Sequence, residues 1–175
     1  MARSALVLLD ADVVIEAFRL GIWESLTTKV DVYVASSVAG EAGHYFDPET
    51  GARKTINLQA EADAGRITIG EGDAIQMSRV DNTCRPFLLD LHIGELESIA
   101  LVQTEGLDFC TADHAAARAM AVLDLSEKAM SLEGILKKNG LTPKVRIKPY
   151  YSAATMSAWL REGSILRVQA FRRKS

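Results

Sequence analysis

Leu6-Val7-Leu8-Leu9-Asp10-Ala11-Asp12-Val13-Val14-Ile15 sets the reading of the chain: an apolar run ends on an acid, and a helix-like stretch follows. Residues 5–9 show no polar alternation, which predicts a strand covered on both faces, as in a parallel sheet. Such a strand delivers the residue at its C-terminal end to the crevice where open α/β sheets bind ligands. Asp10 is that residue. A carboxylate there needs a cation, a hydrogen bond or water. Short acids are also good helix N-caps, and capping alone accounts for Asp10 or Asp12.

Outward from this stretch, strand-like and helix-like segments alternate. Residues 13–20 carry Val14, Ile15, Phe18 and Leu20 at helical spacing, with Gly21 as the stop. Trp23 and Leu26 predict a short apolar turn. Residues 30–35 are β-branched and predict a second strand. Ser36 and Ser37 supply N-cap side chains for a helix over 38–45, with Glu41 on its second turn. Residues 47–51 form a Pro/Gly loop. A helix over 55–64, a short strand over 66–69 and a helix over 73–80 follow, the last interrupted by residues 81–86. A helix begins at Gly94 or Glu95 and runs to Glu105, where Gly106 ends it. Residues 107–111 predict a fourth strand, Asp113 caps a helix over 114–122, and residues 121–126 suggest a fifth strand. Residues 131–138 predict a helix, and residues 144–148 a basic strand or extended arm. Residues 151–162 predict a helix stopped by Gly163; residues 164–171 then pack back onto the domain, and 172–175 form a frayed tail.

This alternation predicts an α/β fold, a three-layer α/β/α arrangement with a mainly parallel central sheet of about four or five strands. The 175 residues suit one domain with a single core. The net charge of −3 gives no overall attraction for nucleic acid, so a polyanion would have to be held by local cations or metal. Cys84 and Cys110 lack metal-ligand spacing and predict a reduced, cytoplasmic chain. Residues 1–4 leave no room for a signal peptide, and no apolar run approaches a membrane span.

In such a sheet Asp10 and Asp113 lie at strand ends, with Glu41 and Glu95 on nearby helices. Converging carboxylates repel one another, and protonation or a cation relieves the repulsion. All-oxygen ligands favour Mg²⁺ or Mn²⁺ over zinc. His44, His92 and His114 show no zinc-ligand spacing. Helix-dipole stabilisation explains Glu95 and Glu97 in a first turn equally well, and Glu41 alone reads as a solvated helix residue.

The segments Leu8–Ile15, Val38-Ala39-Gly40-Glu41, Gly94-Glu95-Leu96-Glu97-Ser98-Ile99-Ala100-Leu101 and Thr111-Ala112-Asp113, in this order, resemble the PIN-domain family of metal-dependent ribonucleases. Ser131-Leu132-Glu133-Gly134-Ile135-Leu136 followed by Gly140-Leu141 is similar to the closing helix of one prokaryotic PIN subgroup. The resemblance implies a nuclease domain over 1–141 and an extension over 142–175 packed on it. It implies Asp10, Glu41, Glu95 and Asp113 as catalytic and metal-binding acids, with Glu97 as an alternative third ligand. It implies Mg²⁺ or Mn²⁺ as cofactor and RNA as substrate, cut to 5′-phosphate and 3′-hydroxyl ends. Thr111 matches the hydroxyl residue that steadies the site. Thr111, Arg53, Lys54 and Arg118 are the candidates for substrate binding. Several prokaryotic members are toxins silenced by an antitoxin, and many are homodimers, so an antitoxin and a second copy are implied partners. Asp12 and Glu95 depart from the residue types usual at their positions.

Two other readings stay open. Asp10-Ala11-Asp12 is also similar to the first motif of haloacid-dehalogenase-type phosphatases, with Asp10 as nucleophile and Asp12 as acid/base. That family's paired late aspartates are missing, since His114 follows Asp113. The fold could also serve as a non-catalytic RNA- or protein-binding module.

Overall fold

In the computed structural model, which describes residues 6–174, the opening apolar run becomes the central strand of a parallel sheet. The chain runs β1 (Leu6–Leu9), α1 (Ala11–Arg19), α2 (Trp23–Lys29), β2 (Asp31–Ala35), α3 (Ser36–Glu41), β3 (His44–Phe46), β4 (Arg53–Thr55), α4 (Leu58–Asp63) and β5 (Ile67–Gly70). It continues through α5 (Ala74–Cys84), α6 (Ile93–Glu105), β6 (Asp108–Cys110), α7 (His114–Val122), β7 (Ala129–Met130), α8 (Leu132–Lys138) and α9 (Ala153–Lys174). The described residues form a five-stranded sheet in the order β5-β2-β1-β6-β7, all neighbours parallel. Helices flank it, so the three-layer α/β/α expectation holds.

The strand order carries the functional geometry. From β1 the chain moves outward to β2 and β5, then returns across the sheet to β6 and β7 on the other side of β1. Right-handed crossovers place the helices of the two excursions on opposite faces. The order therefore reverses between β1 and β6, and ligand crevices form at the carboxyl ends of strands at such a point. Asp10 follows β1, and Thr111 and Asp113 follow β6; the Asp10 N–H donates to the Cys110 carbonyl at 3.0 Å. Leu8, Leu9, Val34, Ile99, Phe109 and Leu132 are fully buried around this axis, which explains the absence of polar alternation in the strands.

Several boundaries differ from the sequence expectation, each for a local reason. The helix expected over 38–45 stops at Glu41, because Ala42 leaves helical geometry and Tyr45 enters β3. Tyr45 stacks on Phe18 (5.7 Å between ring centroids), which itself stacks on Trp23 (4.5 Å), so a tertiary aromatic contact outweighs local helical spacing. β3 and β4 form an antiparallel hairpin that the sequence reading placed in helix and loop. Ser36 and Ser37 are the first residues of α3 rather than its caps; Ala35 precedes them without a side-chain bond. The helix expected from Thr55 starts at Leu58, capped by Asn57. No strand forms over 121–126: Ala121 and Val122 complete α7, Asp124 turns the chain at positive φ, and β7 is the edge strand. The basic segment after Pro143 is an extended arm, bonded through the Lys144 N–H to the Leu20 carbonyl.

Gly163 does not end a helix. It is buried in the middle of α9, which runs on to Lys174. The expectations at Ala5 and Ser175 fall outside the described residues. Among the described residues, no helix is long and apolar enough to cross a membrane.

Candidate active site

Asp10 and Asp113 are both N-caps, as their residue type suggested. Asp10 Oδ1 accepts from the Ala11 N–H at 2.8 Å and begins α1; Asp113 Oδ1 accepts from the Ala116 N–H at 2.7 Å and begins α7. Capping does not exhaust them. Thr111 lies between them, donating its hydroxyl to Asp10 Oδ2 at 2.7 Å and accepting from the Asp113 N–H at 3.0 Å. Thr111 is buried, so it positions the two acids and is not free to grip a substrate.

Glu95 occupies the third position of α6, and its carboxylate reaches back to the His92 N–H in a capping-box arrangement. Glu41 sits at the end of α3. Its Oε2 is 3.4 Å and its Oε1 3.7 Å from where a Cβ on Gly94 would stand, beside Glu95 at the start of α6. A carboxylate is disfavoured at its own helix C-terminus and favoured at the N-terminus of a neighbouring helix. The four acids named from sequence therefore gather at the carboxyl ends of β1 and β6 and the start of α6.

The electrostatics register this gathering. Burial pushes the Asp10 carboxyl up; the bonds from Thr111 and Ala11 oppose it, and the charges of Asp12 and Asp113 add to it, giving about 6. Burial also pushes Glu95 up; the His92 N–H opposes, and the charges of Asp113 and Asp10 reinforce, giving about 7. Asp10 and Glu95 thus both sense Asp113. Glu95 Oε1, Asp113 Oδ2 and the Glu41 carboxylate accept no hydrogen bond among the described residues. Also among the described residues, no three His, Cys, Asp or Glu side chains are drawn tightly enough to cage an ion by protein ligands alone.

Glu97, the alternative third ligand, has a different task. Its Oε1 accepts from the Ser36 hydroxyl (2.8 Å) and the Gly72 N–H (2.9 Å). Its Oε2 accepts from the Ser37 N–H (2.8 Å) and hydroxyl. Burial raises its carboxyl, but the bonds from Gly72, Ser37 and Ser36 outweigh burial and hold it below the usual range. It clamps α6 to α3 and to the turn after β5. Gly72 must be glycine here, since a Cβ would stand 2.7 Å from Glu97 Cγ. Glu97→Gln would set an amide donor against a backbone N–H, and is expected to lower stability by about 2 kcal/mol. The loss should shrink as pH falls and Glu97 itself protonates, which urea denaturation of both proteins across pH would reveal.

The cations divide. Lys54 is paired with Asp47 across the hairpin turn. Arg53 is exposed with no carboxylate partner among the described residues. Arg118 lies on α7 with its Nε buried, unbonded and 3.9 Å from Glu162 of α9. His114 Nε2 is 2.6 Å from the same Glu162, a contact without a local signal because its partners are 48 positions apart. An apolar groove of about 660 Å³ lies between Phe87, Leu88, Val122 and Phe171, and includes none of the candidate residues.

No family model matches this chain, and no curated protein matches it.

Proposed function

We propose that the chain is a PIN-type ribonuclease that hydrolyses RNA phosphodiester bonds with the help of Mg²⁺ or Mn²⁺. The carrying observation is the meeting of Asp10, Glu95 and Asp113, from three distant segments, at the point where strand order reverses. The charge of Asp113 raises the proton affinity of Asp10 and of Glu95, and a cation answers the same need as a proton. Donors that are all carboxylate oxygens suit a hard ion, and Mg²⁺ keeps several waters and takes one or two carboxylates plus substrate phosphate. One or two of Asp10, Glu95, Asp113 and Glu41 would hold it directly, and the others through its waters. Once bound, such an ion supplies a water of lowered pKa and stabilises the leaving oxygen.

The protein's own contribution is placement. Thr111 fixes the separation of Asp10 and Asp113 through one hydroxyl. The capping bond from His92 fixes one oxygen of Glu95 and leaves the other toward the crevice chemistry. Glu97 holds α6 in register, so its effect on any reaction is indirect.

The test is digestion of an RNA panel with and without Mg²⁺ or Mn²⁺, by wild type and Asp113→Asn in parallel. Wild type is expected to cut only with metal. The variant is expected to lose at least about 100-fold, since even partners outside the ligand set cost 10–100-fold. Equal cutting by both proteins would mean a contaminating nuclease and would remove the assignment.

A further inference from the structure

The β3–β4 hairpin presents two unlike faces. Pairing sets His44 opposite Thr55, Tyr45 opposite Lys54 and Phe46 opposite Arg53. Tyr45 faces inward onto Phe18, with Lys54 beside it tied to Asp47. The other face therefore carries His44, Phe46, Arg53 and Thr55. Phe46 is 57% exposed, a large apolar side chain that neither the core nor another element covers. His44 packs edge-on against it at 5.6 Å, and Arg53 Nη2 lies 3.4 Å from His44 Nδ1. An exposed aromatic ring stands beside an arginine that no carboxylate of the described residues neutralises.

The hairpin begins a short distance along the chain from one of the acids. His44 follows Glu41 by three residues, a reach of at most about 11 Å. A groove of about 480 Å³ borders the hairpin root, lined by Ala39 and Gly40 of α3, by Thr55 and Asn57, by Ile69 of β5 and by Glu71 after it. Its volume is in the ~300–1,000 Å³ range of small-ligand pockets. Its one carboxylate, Glu71, would repel a phosphate, so the groove suits the uncharged base or sugar of a nucleotide rather than its phosphate.

We propose that the outer face of this hairpin holds an unpaired RNA strand within a few residues' reach of Glu41: Phe46 stacks a base, Arg53 holds the adjacent phosphate, and the groove at the hairpin root takes a neighbouring base or sugar. The proposal rests on the nuclease reading for its substrate. Carboxylates repel a polyanion, so a nearby cation is needed, and Arg53 is one that no carboxylate of the described residues neutralises. A ring and a guanidinium side by side suit a single strand, whose bases are open to stacking, better than a duplex.

The experiment measures binding of a short fluorescent single-stranded oligoribonucleotide by anisotropy in Mg²⁺, using full-length Asp113→Asn protein so that the strand survives. Adding Phe46→Ala is expected to weaken binding by about 5- to 100-fold, the range for one base–aromatic stack. Phe46→Tyr should restore it. Arg53→Gln should weaken binding and reduce the salt slope by about one counterion. A duplex of the same sequence should bind weakly and without regard to Phe46. Unchanged affinity in Phe46→Ala overturns the proposal, as does failure of the unsubstituted protein to bind the single strand. If wild type cuts RNA with metal while Phe46→Ala binds normally, only the hairpin assignment falls. If binding needs Phe46 and Arg53 but no metal-dependent cutting occurs, the hairpin stands and the nuclease reading falls.

Discussion

Asp10→Asn is expected to stabilise the metal-free protein by about 3 kcal/mol near pH 8 and to abolish metal-dependent RNA cutting. The magnitude follows from the Asp10 carboxyl, held at about 6 against an ordinary 3.8, at 1.36 kcal/mol per tenfold change in proton affinity. The sign follows from the direction. A carboxyl whose proton is held more tightly in the folded state leaves stability intact below about pH 4, where both states are protonated. As pH rises from about 4 to 6 the unfolded chain releases its proton first, and stability falls. Above about 6 the cost is complete. Asparagine has no proton to lose, so its advantage should be absent near pH 4 and full near pH 8. Its carbonyl can still accept from the Ala11 N–H, and its amide can donate to Thr111 Oγ1, which has two lone pairs. Urea denaturation of both proteins across pH, without divalent ions, measures this. Mn²⁺ should then raise the melting temperature of wild type at pH 8 far more than that of the variant, because an ion bound only by the native state stabilises it. Equal stability at every pH would mean that Asp10 is an ordinary cap.

That prediction depends on neighbours no single segment reveals, and this marks the boundary of what the chain discloses. Asp10, Asp113 and Glu95 were legible because each stands at a punctuation point: an apolar run ending on an acid, or an acid opening a periodic stretch. Residues 114–122 form a helix with the expected bounds, since alanine-rich periodicity and a cap agree there. The choice between Glu95 and Glu97 was not legible. Both lie in the first turns of α6, and only the approach of Ser36, Ser37 and Gly72 from other elements shows that Glu97 is already engaged. The hairpin was hidden for a similar reason. His44-Tyr45-Phe46 is too short for a period, and Tyr45 joins a strand because Phe18 and Trp23 offer a stack from α1 and α2.

Gly163→Ala is expected to destabilise the protein by about 3 kcal/mol, against the direction that helix propensity predicts. In an open helix the change would add about 1 kcal/mol of stability. Gly163, however, is where α9 crosses α7. A Cβ there would stand 2.4 Å from the Arg118 carbonyl oxygen, 2.8 Å from Ala121 Cβ and 2.9 Å from Arg118 Cα. Two of these are backbone atoms, so no side-chain rotation relieves the clash, and the helices must separate. Overpacking of this kind costs about 1–3 kcal/mol and occasionally more, enough to outweigh the propensity gain. At about 2–4 °C per kcal/mol for a chain of this length, the melting temperature should fall by about 6–12 °C. Arg161→Ala, on the exposed side of the same helix, serves as the control and should change little. The displacement should also be felt at the start of α7, because α9 holds His114 there through Glu162 at 2.6 Å and Trp159 at 5.3 Å between ring centroids. Hydrogen exchange at the first amides of α7 should therefore quicken in Gly163→Ala well below its melting point. A melting temperature that stays level or rises would mean that the two helices are not in contact at Gly163, and the packing of the C-terminal helix against the site would have to be redrawn.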